Sequence, residues 1–302
     1  MSMNSPKKRP LCVGIGEILW DLLPTGKMLG GAPGNVAAMA AQLGLQGMVV
    51  SAVGDDLYGR EILEQMDRNG VDRSGIRTIK DLPTGVVDVV LDSAGVPSFS
   101  IRQPAAWDAI SFDGEMKRVA QSAAAVVFGT LAQRDPRSRA GITGFLRAVG
   151  PGCLKVCDVN FRPPFVSEAI IIDSLKLADV VKLNDTELPT VAGMLGMTGD
   201  VSTLLKGLRS RFDLDLVVYT QGDKGSRMIT SSYDGSHPGF KAKVVDTVGA
   251  GDSFIAAVTV GLLMGFELDR IQDLANRVAA FVCTQAGGTP PLPVEIVSEF
   301  KK

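Results

Sequence analysis

The stretch VVDTVGAGDSFIAAVTVGLLMG, Val244–Gly265, joins a glycine-rich turn to a long apolar run. The run has the composition of a helix, and a helix that is apolar on every side is buried on every side. The turn before it places three small residues, Gly249–Gly251, between Asp246 and Asp252. Because glycine weakens a helix, two glycines at the start of one indicate that the exposed backbone there has a function.

Outward from this stretch, short apolar segments alternate with helical periodicity along the chain. One helical pattern, NVAAMAAQLG, ends at Gly44, and another, DLYGREILEQMDRNG, has Asp56 near its start and Gly70 past its end. Apolar strands joined by helices form parallel sheets that are covered on both faces. The sequence therefore predicts an α/β fold with a buried parallel sheet. Its strand segments are LCVGIG, GMVVSAVG, AAVVFG, LKVCDVN, ADVVKLN and LDLVVYTQG.

One segment interrupts this alternation. The residues TGVVDVVLDSAGVPSFSIR, Thr84–Arg102, alternate apolar and polar side chains around the turn signal DSAG. That pattern predicts a half-exposed hairpin, which forms either an edge of the main sheet or a flap over the site. The pattern alone does not separate the two. No internal repeat or linker interrupts the 302 residues, so we expect one main domain with a small β segment.

Charge and cysteine content limit the classes of function. Lys plus Arg number 31 and Asp plus Glu number 33, so no basic excess calls for a nucleic-acid partner. The chain has a single histidine, His237, which excludes most Ser/His and Cys/His nucleophilic sites. The cysteines lack zinc-binding spacing and are expected to be reduced and buried. They are Cys12, Cys153, Cys157 and Cys283.

The sequence also predicts a cytoplasmic protein with no membrane partner. The basic start, MSMNSPKKRP, precedes only the short apolar segment LCVGI before Glu17 and Asp21, which is too short for a signal peptide. The longest apolar run, Phe254–Phe266, is shorter than a membrane-spanning helix.

The DTVGAGDSF turn has the composition of an anion site. The first turn of a helix exposes backbone N–H groups that attract negative charge, and glycine allows a phosphate to come close. A hydroxyl that attacks a phosphoryl group also needs a carboxylate to accept its proton, and Asp252 stands in that turn. The alternative is a tight turn with Asp252 as a helix cap, which leaves Gly251 and the small Ala250 unexplained.

Other polar turns follow predicted strands, where ligands of parallel sheets bind. In GGAPGN, Gly30–Asn35, glycines allow a ligand to lie against the backbone and Asn35 offers hydrogen bonds to hydroxyls. Asp21, in GEILWDLLP, is either a turn residue before Pro24 or an acceptor for two sugar hydroxyls. NDTE, Asn184–Glu187, either caps a helix or holds a hydrated magnesium ion. TQGDKG is either a simple turn or a nucleotide contact.

GGAPGNVA near the N-terminus and DTVGAGDSF near the C-terminus together resemble the ribokinase-like, pfkB-type family of carbohydrate kinases. The resemblance extends from Gly14 to about Pro293, and GEILWDLLP with GGAPGN is most similar to fructokinases. It implies a three-layer α/β/α sandwich with a mainly parallel sheet and a small β lid, in segments of about residues 17–30 and 84–104. It also implies ATP as donor and a sugar as acceptor, with fructose first and 2-keto-3-deoxygluconate or another sugar or nucleoside as alternatives.

The resemblance further implies a role for each motif residue. Asp252 is the implied catalytic base, and the backbone of three residues is the implied anion hole: Gly249, Ala250 and Gly251. The implied sugar-binding residues are Asp21, Gly31, Asn35, Arg102 and Arg162. The implied nucleotide-binding residues are Asn184, Glu187, Thr220, Gly222, Gly225 and Asn276, with Glu187 reaching Mg²⁺ through water. A monovalent cation, K⁺, would bind Asp246 and the carbonyl of Val248.

Some positions depart from the family pattern. Gln285 stands where relatives often have arginine, and Pro291 stands where a ribokinase-type cation ligand would lie. Trp20 is a bulky neighbour of Asp21 that could shape the choice of sugar. All the motif acids are present, which favours an active enzyme over a silent sugar-binding regulator, and GIGEIL lacks the dinucleotide fingerprint of an oxidoreductase. The alternating face of VVDVVLD fits a homodimer formed through the lid strands.

Overall fold

The computed structural model of the chain describes residues 9–24, 26–91 and 97–301. The predictions made on residues 1–8 and on the DSAG turn lie outside the described residues. Strands and helices alternate as predicted. The strands are β1 (Leu11–Ile15), β2 (Leu19–Leu23), β3 (Gly26–Gly30), β4 (Gln46–Gly54), β5 (Ile76–Ile79), β6 (Gly85–Leu91), β7 (Pro97–Ile101), β8 (Ala125–Gly129), β9 (Leu154–Asp158), β10 (Val180–Asn184), β11 (Leu216–Thr220), β12 (Ser226–Ile229) and β13 (Asp234–His237).

The α-helices lie between the strands, except that α8, α9 and α10 all follow β13. They are α1 (Ala32–Gln42), α2 (Leu57–Arg68), α3 (Gly114–Ser122), α4 (Pro136–Ala148), α5 (Glu168–Leu177), α6 (Glu187–Met194), α7 (Val201–Phe212), α8 (Ala250–Leu263), α9 (Leu268–Cys283) and α10 (Val294–Glu299). Among the described residues, no helix is both long enough and apolar enough to cross a membrane.

The described strands form two separate sheets. The large one has the order β13-β12-β11-β10-β9-β8-β1-β4-β5 and is parallel from β11 to β5, with β12 and β13 added as an antiparallel hairpin. The small one has the order β3-β2-β6-β7. The predicted hairpin, β6 and β7, belongs to the small sheet, because β6 pairs with β2. The alternative that it forms an edge of the main sheet is therefore wrong.

The core lies on both faces of the large sheet. Successive residues of one strand enter opposite clusters: Val126 and Phe128 of β8 pack with helices α3 to α7, whereas Ala125 and Val127 pack with α1, α8 and α9. Strands buried on both faces are apolar at nearly every position, which explains their uninterrupted apolar segments. The predicted three-layer α/β/α sandwich with a mainly parallel sheet and a separate small β sheet is confirmed.

Two helix starts differ in how well the sequence predicted them. Helix α8 begins at Ala250, and Ser253–Gly261 are all buried, as the apolar run indicated. Helix α1 begins at Ala32, so Asn35 lies in its first turn and not in the loop before it. The reason is Pro33, whose fixed φ fits the first turn of a helix and whose missing N–H is no loss there.

Candidate active site

The polar turns converge at the carboxyl edge of the large sheet. Asn35 of α1 donates from its Nδ2 to Oδ2 of Asp252 on α8 at 2.7 Å, across 217 positions of sequence. This contact brings GGAPGN and DTVGAGDSF, the two motifs that carry the family resemblance, into one site. The first turns of two helices, with their unpaired backbone donors, therefore face the same space.

The turn before α8 requires glycine for two reasons. Gly249 has φ 74°, in the left-handed region, and an added Cβ would overlap the backbone of Gly288. The Ala250 amide donates to the Thr247 carbonyl at 3.3 Å. The amides of Gly251 and Asp252 make no hydrogen bond with the described residues, because they precede the first acceptor within the helix.

Asp252 is half-buried in the first turn of α8. Burial raises the pKa of its carboxyl above the ordinary value, and the neighbouring carboxylate of Asp158 raises it further. The hydrogen bond from Asn35 and the charges of Lys182 and Arg162 oppose that rise. The site thus holds a carboxyl group whose proton affinity is increased, which suits a group that must accept a proton.

The predicted sugar-binding residues Asp21 and Gly31 lie on the side of the small sheet. Asp21 stands on β2 beside Gly30, and burial raises the pKa of its carboxyl to about 6 against the opposing charge of Arg162. Gly31 has φ 107°, and a Cβ added to it would overlap the backbone of Glu17 and Ile18. Arg162 is exposed, lies close enough to influence both Asp21 and Asp252, and donates to the Phe161 carbonyl.

Arg102 lies elsewhere. Its guanidinium forms a two-bond ion pair with Asp88, with Nε to Oδ2 at 2.7 Å and Nη2 to Oδ1 at 2.6 Å. Both residues belong to the small-sheet region, on β6 and just after β7. Asn35 and Arg162 therefore lie next to Asp252, Arg162 also acts on Asp21, and the Gly31 carbonyl accepts from the Asn35 amide at 3.1 Å. Arg102 is not one of that group.

Asn184 and Glu187 cap helix α6 reciprocally. The Asn184 Oδ1 accepts from the Glu187 amide at 2.9 Å, and the Glu187 Oε2 accepts from the Asn184 amide at 2.8 Å. The other carboxylate oxygen of Glu187 accepts from the Phe161 amide at 2.9 Å. Burial raises the pKa of Glu187. Asn184 and Glu187 therefore form a helix cap, as one of the two interpretations predicted. Each carboxylate oxygen of Glu187 can still accept a second hydrogen bond.

The predicted nucleotide-binding turn follows β11. Thr220 pairs in register with Asn184 of β10, and the chain turns over Gly222 and Gly225, with φ of 58° and 85°. Asn276 of α9 is buried, and its Nδ2 donates to Ser226 Oγ and to the Gln272 carbonyl, both at 2.8 Å. The first of these bonds holds α9 against β12, and the second lies within α9 itself.

Asp246 ties two loops together. Its Oδ1 accepts from the Val248 amide at 3.0 Å, and its Oδ2 accepts from the Gly287 amide at 3.1 Å. The turn that precedes α8 is thereby fixed to the TQAGGTPP segment, which contains Gln285. Within residues 9–24, 26–91 and 97–301, no three His, Cys, Asp or Glu side chains form a group that could hold a metal ion.

Sequence reasoning missed two charged features of the site. Glu17, just after β1, is 3% exposed, and its Oε2 has no hydrogen-bond partner among the described residues. Lys182 of β10 forms a buried ion pair with Asp158 of β9. The signal for both was an ionisable residue inside an apolar segment, GIGEILW and DVVKLN, because such residues are seldom buried without a partner or a function.

Comparison with known proteins identifies the family. The model of the pfkB family of carbohydrate kinases matches residues 25–295. The chain belongs to the pfkB family of carbohydrate kinases. This confirms the family that the two glycine motifs indicated, and it makes the chain a phosphotransferase that acts on a sugar.

Proteins similar to this chain match it over nearly its whole length. Fructokinase-1 of Zea mays is 30% identical, over 95% of this chain and 96% of its own. A sugar kinase from Pyrococcus horikoshii, solved in complex with ATP, superposes with a TM-score of 0.81 at 28% identity, over 96% of this chain and 99% of its own. A fructokinase from Vibrio cholerae, solved with fructose, ADP and calcium, superposes with a TM-score of 0.80 at 25% identity. The match covers 97% of this chain and 99% of the fructokinase.

Proposed function

We propose that this chain transfers the γ-phosphoryl group of ATP to the 6-hydroxyl of fructose. Asp252 is the general base, and the backbone of the turn Gly249–Gly251 binds the transferring phosphoryl group. The observation that carries the proposal is the hydrogen bond between Asn35 and Asp252, because it joins the sugar side of the site to the helix start with free amides. The fructokinase from Vibrio cholerae, bound to fructose and ADP, supports the choice of substrates.

In the proposed reaction Asp252 orients the sugar hydroxyl and accepts its proton. The hydroxyl oxygen attacks the γ-phosphorus, the bond to the oxygen that bridges the β- and γ-phosphates breaks, and ADP leaves. General-base assistance is worth about 10²–10⁴ in rate. The amides at the head of α8, chiefly those of Gly251 and Asp252, donate to the oxygens of the transferring group, and each such donor is worth about 10²–10³ where it has been measured.

Asp21, Gly31, Asn35 and Arg162 would hold the sugar. Asp21 reaches the site from the small sheet and Asn35 from the main body, so a bound sugar would bridge the two. Closure of the small sheet would exclude water, which otherwise competes with the sugar as acceptor. In that arrangement Arg102 would act through its ion pair with Asp88 by stiffening the lid.

The nucleotide would lie over the turn that contains Thr220, Gly222 and Gly225. The donor set of the site fits a magnesium ion that arrives with ATP, because Mg²⁺ keeps several waters and is bound by few carboxylates together with substrate phosphates. Glu187 is buried beside this turn and would contact such an ion through water. When bound, the ion neutralises charge on the phosphates.

We place a monovalent cation, K⁺, at Asp246 and the carbonyl of Val248. Asp246 already joins the turn before α8 to the segment that contains Gly287, so a cation at that point would support the anion-binding amides. Potassium should then raise kcat, and sodium should raise it less.

One observation favours 2-keto-3-deoxygluconate as a second candidate acceptor. Arg162 is exposed, and among the described residues it donates only to the Phe161 carbonyl. Its free donors match the carboxylate of a sugar acid, which a guanidinium can bind through two parallel hydrogen bonds. Fructose has no such group, so the two acceptors make different demands on Arg162.

The decisive test is an ADP-release assay with fructose, ribose, 2-keto-3-deoxygluconate and adenosine, each with and without potassium. We expect the highest kcat/KM with fructose, and Arg162→Ala to change it by less than about tenfold. The highest kcat/KM with the sugar acid, lost in Arg162→Ala, would favour the second candidate. No ADP release with any acceptor would instead indicate a silent sugar-binding protein.

A further inference from the structure

A buried ion pair lies directly behind the start of α8. Asp158 and Lys182 are register partners on β9 and β10. The Lys182 Nζ is 3.0 and 3.1 Å from the two oxygens of Asp158, and the two side chains are 6% and 4% exposed. A Cβ added to Gly251 would lie 3.0 Å from the same Nζ. The ammonium group therefore faces the backbone of the glycine turn.

The charged groups around Asp252 come from several elements. Lys182 and Arg162 are the cations, and their charges favour the ionised form of Asp252. The carboxyl groups oppose them and favour its protonated form. The full set is Asp158 at the end of β9, Lys182 on β10, Arg162 after β9 and Glu17 after β1, with Glu187 of α6 facing Asp158 and Lys182.

Stability alone does not account for a buried ion pair at this place. Removing two charges from water is costly, and apolar side chains of similar volume often stabilise a core equally well or better. Beside an anion-binding turn, however, the positive end of the pair has a use, because it stabilises negative charge brought by a phosphate. A group held rigidly behind the amides also needs no rearrangement during the reaction.

We propose that Lys182 is a positioning residue for phosphoryl transfer. Its ammonium group supports the turn at Gly251 from behind with positive charge, and together with Asp158 it sets the charge state of Asp252. The inference rests on the proposed function, because it requires Asp252 to be the base. Lys182 lowers the pKa of Asp252 and Asp158 raises it. Neutralising one of them should therefore shift that pKa in the direction opposite to neutralising the other.

The test compares Lys182→Met with Asp158→Asn and with the double variant. Lys155→Met is the matched control, since Lys155 pairs with Asp179 at 3.0 Å at the opposite end of β9. Two measurements are made on each protein: the pH profile of kcat at saturating fructose and ATP, and the titration of the Asp252 carboxyl followed by ¹³C NMR. The Asp252 signal is assigned by its loss in Asp252→Asn.

We expect Lys182→Met to move the acid limb of kcat up by about one pH unit and Asp158→Asn to move it down, with KM for fructose changed by less than about twofold. The midpoint of the Asp252 titration seen by NMR should shift up in Lys182→Met and down in Asp158→Asn. Lys155→Met should shift neither this midpoint nor the acid limb of kcat. Shifts in one direction for both variants, or no shift in either, would overturn the proposal and leave the pair a structural feature.

The double variant covers the case in which Lys182→Met fails to fold because Asp158 remains buried and unpaired. Its neutral side chains should fold, and we expect kcat about tenfold below that of the unmodified protein at every pH, because the charge behind Gly251 is gone. An unchanged kcat in the folded double variant would also overturn the proposal. Full turnover in Asp252→Asn would instead overturn the base assignment, and the NMR titration would still report on Lys182.

Discussion

Asp252 receives its position from Asn35 and its proton affinity from its surroundings. The 2.7 Å hydrogen bond fixes one carboxylate oxygen and leaves the other available to a ligand. Burial raises the pKa of the Asp252 carboxyl, and the positive charges of Lys182 and Arg162 lower it. A carboxyl whose pKa is raised is a stronger base than an ordinary one, which suits a group that takes a proton from a hydroxyl.

We predict that Asp252→Asn lowers kcat by about 10²–10⁴ and leaves sugar binding nearly unchanged. Asparagine has the size of aspartate and can still accept from Asn35, but it cannot take a proton from the sugar hydroxyl. Coupled ADP release gives kcat, and isothermal calorimetry with fructose gives the affinity. Equal turnover in this variant would end the assignment of Asp252 as the base.

Glu17 makes the stability of the protein depend on pH. Burial raises the pKa of its carboxyl to about 7, so between about pH 4.5 and pH 7 the folded chain keeps a proton that the unfolded chain has lost. The free energy of unfolding therefore falls as the pH rises through this range. We predict that Glu17→Gln increases this free energy at pH 8 by about 1–3 kcal/mol and leaves it nearly unchanged at pH 4.

Urea unfolding of the unmodified protein and of Glu17→Gln, each at pH 4 and pH 8, measures how the free energy of unfolding changes. Glu64→Gln is the control: its side chain on α2 is 64% exposed and pairs only at the surface with Arg68, and because such surface pairs contribute little, the change should be nearly the same at both pH values. A Glu17→Gln variant destabilised equally at pH 4 and pH 8 would mean that Glu17 acts by packing and not by its charge.

At the scale of the element, helix α8 begins with two glycines that have different tasks. Gly249 is needed for the fold, since its left-handed φ and its contact with the Gly288 backbone leave no room for a side chain. Gly251 is already inside the helix, where alanine is a better helix former. The nearest atom to a Cβ at Gly251 is the Nζ of Lys182, at 3.0 Å, so a side chain and not the backbone would have to shift.

We therefore predict opposite outcomes for two substitutions in the same turn. Gly249→Ala should lower the free energy of unfolding by about 2 kcal/mol or more, because a strained backbone alone costs about 1–3 kcal/mol and the overlap adds to it. Gly251→Ala should change that free energy by less than about 1 kcal/mol and lower kcat by about tenfold or more, because the methyl group displaces the ammonium group of Lys182 from behind the turn. Thermal melts and ADP release separate the two effects, and gross unfolding of Gly251→Ala would favour a purely structural turn.

The sequence predicted the elements better than the contacts between them. Apolar strands, the buried run of α8 and the glycine turn were readable because each depends on local periodicity or on the absence of side chains. The ion pair between Asp158 and Lys182 was not, since it depends on the register of β9 against β10, and no pattern within either strand specifies that register. The antiparallel hairpin β12–β13 was missed for a related reason: its strands are short, and β13 (DGSH) is polar.

At the scale of the whole molecule, two sheets contribute to one site. Helix α8, whose first turn is the proposed phosphate site, packs on the large sheet, and the small sheet carries Asp21 on β2. The chain crosses between the sheets after β1, where Glu17 and Ile18 pack against Gly31. A ligand that contacts both Asp21 and Asp252 therefore fixes the position of the small sheet relative to the main body.

We predict that fructose together with a non-hydrolysable ATP analogue slows hydrogen exchange in the small sheet. The amides of β2, β3 and β6 should become more protected, because a bridging sugar holds the sheet closed and removes its opening motions. The central strands β8 and β9 should not change, since their core is already buried on both faces. Asp21→Asn is the informative variant: it should weaken the sugar contact from the small sheet, so the same ligands should protect β2 less. Equal protection in Asp21→Asn would show that the sheet closes on the nucleotide alone, and no protection in either protein would mean that the small sheet is not a lid.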